Sequence, residues 1–360
     1  AKDILNLKFL LFYHLIFGVF YYFYTVNELV DSYTYWSISR DLQINSISEL
    51  FNSGLGTEMI VSINFIPFNI IGLSYFQGTL MYSFLGFLGF LYLYLTIKNT
   101  ISKVPKFLYT NLFPLLLFLP NLHFWSAGIG KDTISFLCIN YIIYYLFKKR
   151  RNIIIIIPLF FLFIVRPHMI VFLVLSFSIS TLLQKSITLY KKVILLVVIT
   201  VFSSYIILSF NEFVGIDNLS SESISEYSNL KSENLSRANT GSAINLVGSP
   251  IYLRVFTFLF RPLFFDANNI MGIVLSFENL FLLLITIKVL MSNFFSKIRK
   301  SNITIKGFFI FCLLSSISFS LTLGNLGIMT RMKNMIMPVI ILILLWALSI
   351  PKKIKIEKNN

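Results

Sequence analysis

The sequence is poor in charge, cysteine and histidine. Only 12% of its 360 residues are charged, roughly half the share of a soluble domain, so a soluble globular fold is excluded. Its two cysteines, Cys138 and Cys312, both sit in apolar runs, which reads as buried small side chains rather than a disulfide or a metal pair. Three scattered histidines give no metal-ligating cluster. Neither a GxxxxGK[ST] phosphate loop nor a dinucleotide fingerprint occurs, so nucleotide-driven work is not expected. No metal and no cofactor is anticipated. The formal net charge of +15 would suit nucleic acid, but basic loops lying on anionic lipid headgroups explain it better. No nucleic-acid partner is expected.

What the chain has in quantity is apolar sequence, 56% of the total. Long apolar runs alternate with lysine-rich clusters and with polar, mixed-charge stretches, a pattern that predicts an all-α, polytopic membrane bundle of about ten transmembrane helices. The expected spans are 9–27, 76–97, 107–124, 133–147, 152–165, 169–184, 193–210, 270–289, 307–323 and 335–350. The first apolar run lacks a small-residue cleavage site and reads as a retained span. The whole chain, 1–360, is read as one membrane domain. Residues 28–75 form a first external loop with an interfacial or re-entrant helix near 59–74, and 211–268 form a large external loop with an amphipathic or re-entrant helix. Of 21 lysines, 17 flank the ends placed on the cytoplasmic side, while 12 of the 15 acidic residues fall outside. This agreement sets the orientation, with both termini cytoplasmic.

Arginine does the opposite. Six of the nine fall on the external side, where a planar fork of donors suits phosphate or carboxylate. Ser249-Pro250 reads as a helix start with Pro250 at the first helical position. Arg254 and Arg261 then stand seven residues apart on one helical face, about 10 Å from one another. Pro262 puts Arg261 at a bend. The plain alternative is that both snorkel to headgroups. Arg331 and Lys333 begin the last span from outside, against both the positive-inside bias and the helix dipole, which implies a compensating anion.

Further candidates lie at other tips. Arg166-Pro167-His168 joins a permanent cation to a titratable imidazole between two short spans. Around Trp125, Lys131 and Asp132, the tryptophan suits an interfacial anchor, and Asp132 suits a carboxylate neutralising Lys131. Asp31, followed by aromatics up to Trp36 on which a sugar ring could stack, is placed to deprotonate a hydroxyl; an ordinary loop aspartate fits as well. Glu278 sits within span eight and must be protonated, paired or facing a polar cavity, with Arg261 or Arg331 as candidate partners. Asp266, Asn268 and Asn269 read as helix caps. Arg237 lies in the large polar loop.

Four stretches carry a resemblance: Asp31-Ser-Tyr-Thr-Tyr-Trp36, Phe124-Trp-Ser-Ala-Gly-Ile-Gly-Lys131-Asp132, Phe260-Arg-Pro-Leu-Phe-Phe-Asp266 and Asn325-Leu-Gly-Ile-Met-Thr-Arg331. With the overall layout, they resemble the Wzy-type polysaccharide polymerases of O-antigen and capsule assembly, within the broad group of C-type glycosyltransferases and O-antigen ligases. The resemblance covers the whole chain as architecture and only these stretches as sequence. It implies an inner-membrane enzyme that transfers glycosyl groups from an undecaprenyl-pyrophosphate-linked oligosaccharide without a metal, on the periplasmic or outer face. It implies Arg254, Arg261 and Arg331, then Arg166, Arg237 and Lys333, as pyrophosphate ligands, and Asp31 or His168 as the base. Membrane lipids and other glycan-assembly proteins would be the partners. The chain departs from the transferase pattern in having no second acid beside Asp31. The rival expectations are a flippase or transporter of lipid-linked glycans, a ligase-like enzyme, a membrane acyltransferase, and a non-catalytic assembly protein.

Overall fold

A computed structural model describes residues 2–28, 30–44, 49, 54–148, 153–184, 187–190, 192–197, 242–244, 246 and 248–349. The described chain is all-α apart from one small hairpin and an isolated bridge. In order, the helices are α1 (Lys2–Glu28), α2 (Asp31–Arg40), α3 (Thr57–Phe65), α4 (Tyr75–Thr100), α5 (Pro120–Ser126), α6 (Lys131–Lys148) and α7 (Ile156–Val165). They continue with α8 (Pro167–Leu182), α9 (Ile251–Phe260), α10 (Ile270–Leu290), α11 (Phe294–Lys300), α12 (Ile303–Thr322), α13 (Leu326–Lys333) and α14 (Met337–Leu348). The hairpin pairs β1 (Lys106–Phe107) with β2 (Thr110–Asn111).

Among the described residues, four helices are long and apolar enough to cross a membrane, namely α1, α4, α10 and α12, or five if α13 and α14 are one broken span. This makes the chain membrane-spanning. The expected span 107–124 is not one helix. Pro114 and Pro120 cannot donate to a helical ladder, and the segment instead holds the hairpin, short turns over 112–118 and the seven residues of α5. Helices α7 and α8 are short, as their sequence implies, and the span expected at 193–210 lies largely outside the described residues. At 57–70, α3 runs into a π-helical turn, Ile66–Ile70, at Pro67.

The backbone forms two compact units. The first comprises Ala1–Ile170, Leu284–Phe294 and Asn334–Asn360. Here α4 packs against α1 and α6, α6 against α7, and α2 against α3. Helix α4 starts at a capping box: the Ser74 hydroxyl accepts from the Gln77 N–H at 3.3 Å, and the Gln77 side chain accepts from the Ser74 N–H at 2.8 Å. Glycine lets it approach α6. A Cβ on Gly89 would stand 2.6 Å from the Phe136 ring, too close for any real contact. The second unit comprises Val171–Leu283 and Phe295–Lys333. In it α9 lies across α12 and α13, and Asn302 caps α12 by accepting from the Ile305 N–H at 2.9 Å. Ala243 bridges to Asn325, which ties the chain before α9 to the start of α13.

Candidate functional site

In the second unit, the end of α9 organises the polar groups. Pro250 is the residue before the helix rather than its first residue, so the helix begins at Ile251. Arg254 is buried on α9. Its Nε donates to the Ser249 carbonyl at 3.1 Å and an Nη to the Leu321 carbonyl at 3.4 Å. The helix stops at Phe260, and Arg261 is extended with ψ of 153°. Pro262 therefore produces the expected bend but also takes Arg261 off the helical face of Arg254.

The Arg261 fork is engaged by Asp266. Its Nε donates to Oδ2 at 2.9 Å and an Nη to the other carboxylate oxygen, while the Leu263 N–H also donates to Oδ2 at 2.9 Å. Burial opposes ionisation of Asp266, but the bonds from Arg261 and Leu263 outweigh it and hold the carboxyl below its ordinary pKa of 3.8. Asp266 is thus an ion-pair partner as well as a turn cap. Asn269 is a cap as expected, accepting from the Gly272 N–H at 2.8 Å.

Lys333, at the end of α13, is 1% exposed. Its ammonium donates to the Leu259 carbonyl at 3.2 Å and to Asn279 Oδ1, and Asn279 in turn donates to the Pro262 carbonyl at 2.9 Å. Glu278, buried on α10, acts electrostatically on Lys333. Arg331 lies half-buried two residues before Lys333. Arg237 falls outside the described residues.

The first unit holds a different arrangement. Arg166 closes α7, is 5% exposed, and donates to Asp132 Oδ1 at 2.6 Å. Asp132 thus pairs with Arg166, a residue 34 positions away. Lys131 donates to the Thr57 hydroxyl at 2.8 Å and lies over the Tyr35 ring at 5.8 Å. His168 is half-buried in the first turn of α8. Asp31 is exposed in the first turn of α2. The expectation of sugar-stacking aromatics behind it fails for Tyr35 and Trp36, which are 7% and 3% exposed. Trp36 packs edge-on against Phe68 at 5.5 Å and serves the core. Trp125 meets Phe124 edge-on at 5.0 Å.

One constellation escapes sequence reading. His14 and His123, both fully buried, approach with Nδ1 atoms 2.9 Å apart. The Leu117 carbonyl, 2.7 Å from His123 Nε2, can only accept. In the neutral pair Nε2 therefore carries the His123 proton and His14 donates from Nδ1. Phe90 stacks on His123 at 4.0 Å. The pair pins α1 to α5. Separated by 109 positions, the two histidines give no local signal.

No protein-family model, curated protein or solved structure matches this chain.

Proposed function

We propose that this chain is a multi-pass enzyme of the bacterial cytoplasmic membrane, with about ten spans and both termini cytoplasmic. It joins undecaprenyl-pyrophosphate-linked repeat units into a surface polysaccharide on the outer face. The observation that carries the reading is the pair of buried cations, Arg254 on α9 and Lys333 on α13, on helices that pack together in one unit. Charges out of water in a membrane protein are costly and mark functional positions. The Lys333 ammonium is anchored by an amide and a carbonyl, neither of which cancels its charge.

In the reaction, an acceptor hydroxyl attacks the donor's anomeric carbon and the bond to the pyrophosphate oxygen breaks. Arg254, Lys333 and Arg331 stabilise the departing diphosphate. A base takes the hydroxyl proton, and the sequence offers Asp31 and His168 for that part. Arg261 takes a supporting part, since its fork holds Asp266 and shapes the turn after α9.

The test is complementation of a deletion strain. Lys333→Met, Arg254→Ala and Arg331→Ala should each leave inserted protein and single repeat units, with long-chain glycan absent. Arg254→Lys should restore little, because an ammonium cannot reproduce the fork. Wild-type ladders from all three would rule the reading out.

Transport of lipid-linked glycans is the second reading, favoured by Glu278 and Lys333, which bury opposite charges in one unit. It is separated by where single units collect in the deletion strain: on the cytoplasmic leaflet for a transporter, on the outer leaflet for a polymerase.

A further inference from the structure

We propose that the β1–β2 hairpin is a binding element for an anionic lipid surface, with Leu108 and Tyr109 as the inserted wedge. At its tip Leu108 is 80% and Tyr109 98% exposed. Leu108 adopts φ of 52°, a left-handed conformation that glycine takes freely and a branched side chain adopts at a cost. The chain thus tolerates backbone strain to hold an apolar side chain outward at the most exposed point of a turn. Outliers of this kind collect at working sites.

The position of the hairpin fits the role. It follows α4, whose last turn carries Lys98, and it is fastened to the last turn of α10, where Lys288 donates to the Lys106 carbonyl at 2.8 Å and lies over the Phe107 ring at 5.3 Å. Both helices are of membrane-crossing length, so a loop joined to the ends of both stands at the membrane boundary. Leu290 and Met291, just after Lys288 in the chain, are also exposed, at 48% and 82%.

The charge fits as well. Lys103, Lys106 and Lys288 are exposed here, and residues 98–111 contain no acidic side chain. An apolar tip with a lysine collar matches an acyl-chain boundary under anionic headgroups. Tyrosine suits the same depth, its ring apolar and its hydroxyl wet.

The test uses the full chain reconstituted in vesicles of phosphatidylcholine alone or with phosphatidylglycerol. Leu108→Trp is read by brominated-lipid quenching, after subtraction of the parent protein's signal. The introduced indole should be quenched by bromine near the headgroups, more strongly with phosphatidylglycerol. The triple variant Lys103→Gln, Lys106→Gln, Lys288→Gln in that background should lose the dependence on lipid charge. A purely structural tip is distinguished by Leu108→Gly, which relieves the left-handed strain. It should melt no lower in detergent, yet lose the extra thermal protection that phosphatidylglycerol gives the parent chain. Quenching by aqueous iodide with none by brominated lipid, or equal quenching in both vesicles, overturns the proposal.

Discussion

The two units hold their buried cations in contrasting ways. In the first, Arg166 meets a carboxylate directly, Asp132 at 2.6 Å, with both side chains under a tenth exposed. In the second, Lys333 meets a carbonyl and a side-chain amide, while the neighbouring acid, Glu278, acts through space. A direct buried ion pair fixes two helices but leaves little charge for anything else. A cation held through neutral oxygens keeps its field available to a ligand. Under the proposed function, this contrast makes the Arg166–Asp132 pair a structural clamp and the Lys333 region the working one.

The contrast breaks or sharpens first at the clamp. Asp132→Ala should cost about 3–5 kcal/mol in detergent unfolding, because it removes one partner of a buried ion pair. The double variant Asp132→Leu, Arg166→Met should recover most of the loss. If the double variant is no more stable than the single, Asp132 acts by something other than pairing.

The next effect is at Asp266. Asp266→Asn should cost about 1.5–3 kcal/mol, the range for hydrogen bonds to a charged group. Because the folded carboxyl titrates below its ordinary value, its contribution is complete above the unfolded pKa of 3.8. It is lost as pH falls through the lowered folded value. The variant should therefore show a shallower decline in stability on acidification than the parent. An unchanged acid limb would mean that the pair does not persist.

The smallest stability effect is expected at Lys333. Lys333→Met removes two hydrogen bonds but also a desolvated charge, so the net change should stay within about 1 kcal/mol. Glycan polymerisation should nevertheless stop. A large loss of stability with activity retained would reverse the assignment of clamp and working site.

Much of the helical layout is legible in the sequence, because apolar run length and lysine placement are local. The long helices α1, α4, α10 and α12 coincide with expected spans, and the bend at Arg261 follows from Pro262 alone. The segment 107–124 is misread because apolarity there outweighs two prolines in a hydropathy window, whereas they decide in the backbone. Pairings are where local reading ends. Asp132 looks like a partner for adjacent Lys131, yet the close of α7 brings Arg166 to it. Trp36 looks like a platform on which a sugar ring could stack, but the packing of α2 buries it. The His14–His123 contact requires the fold itself.

The most direct measurement is reconstitution of the purified chain with undecaprenyl-pyrophosphate-linked repeat units in vesicles. The proposed function predicts a ladder of products that lengthens with time, with free undecaprenyl pyrophosphate released at each step and both lost in Lys333→Met. Repeat units that stay single while the intact, folded chain is present would contradict it.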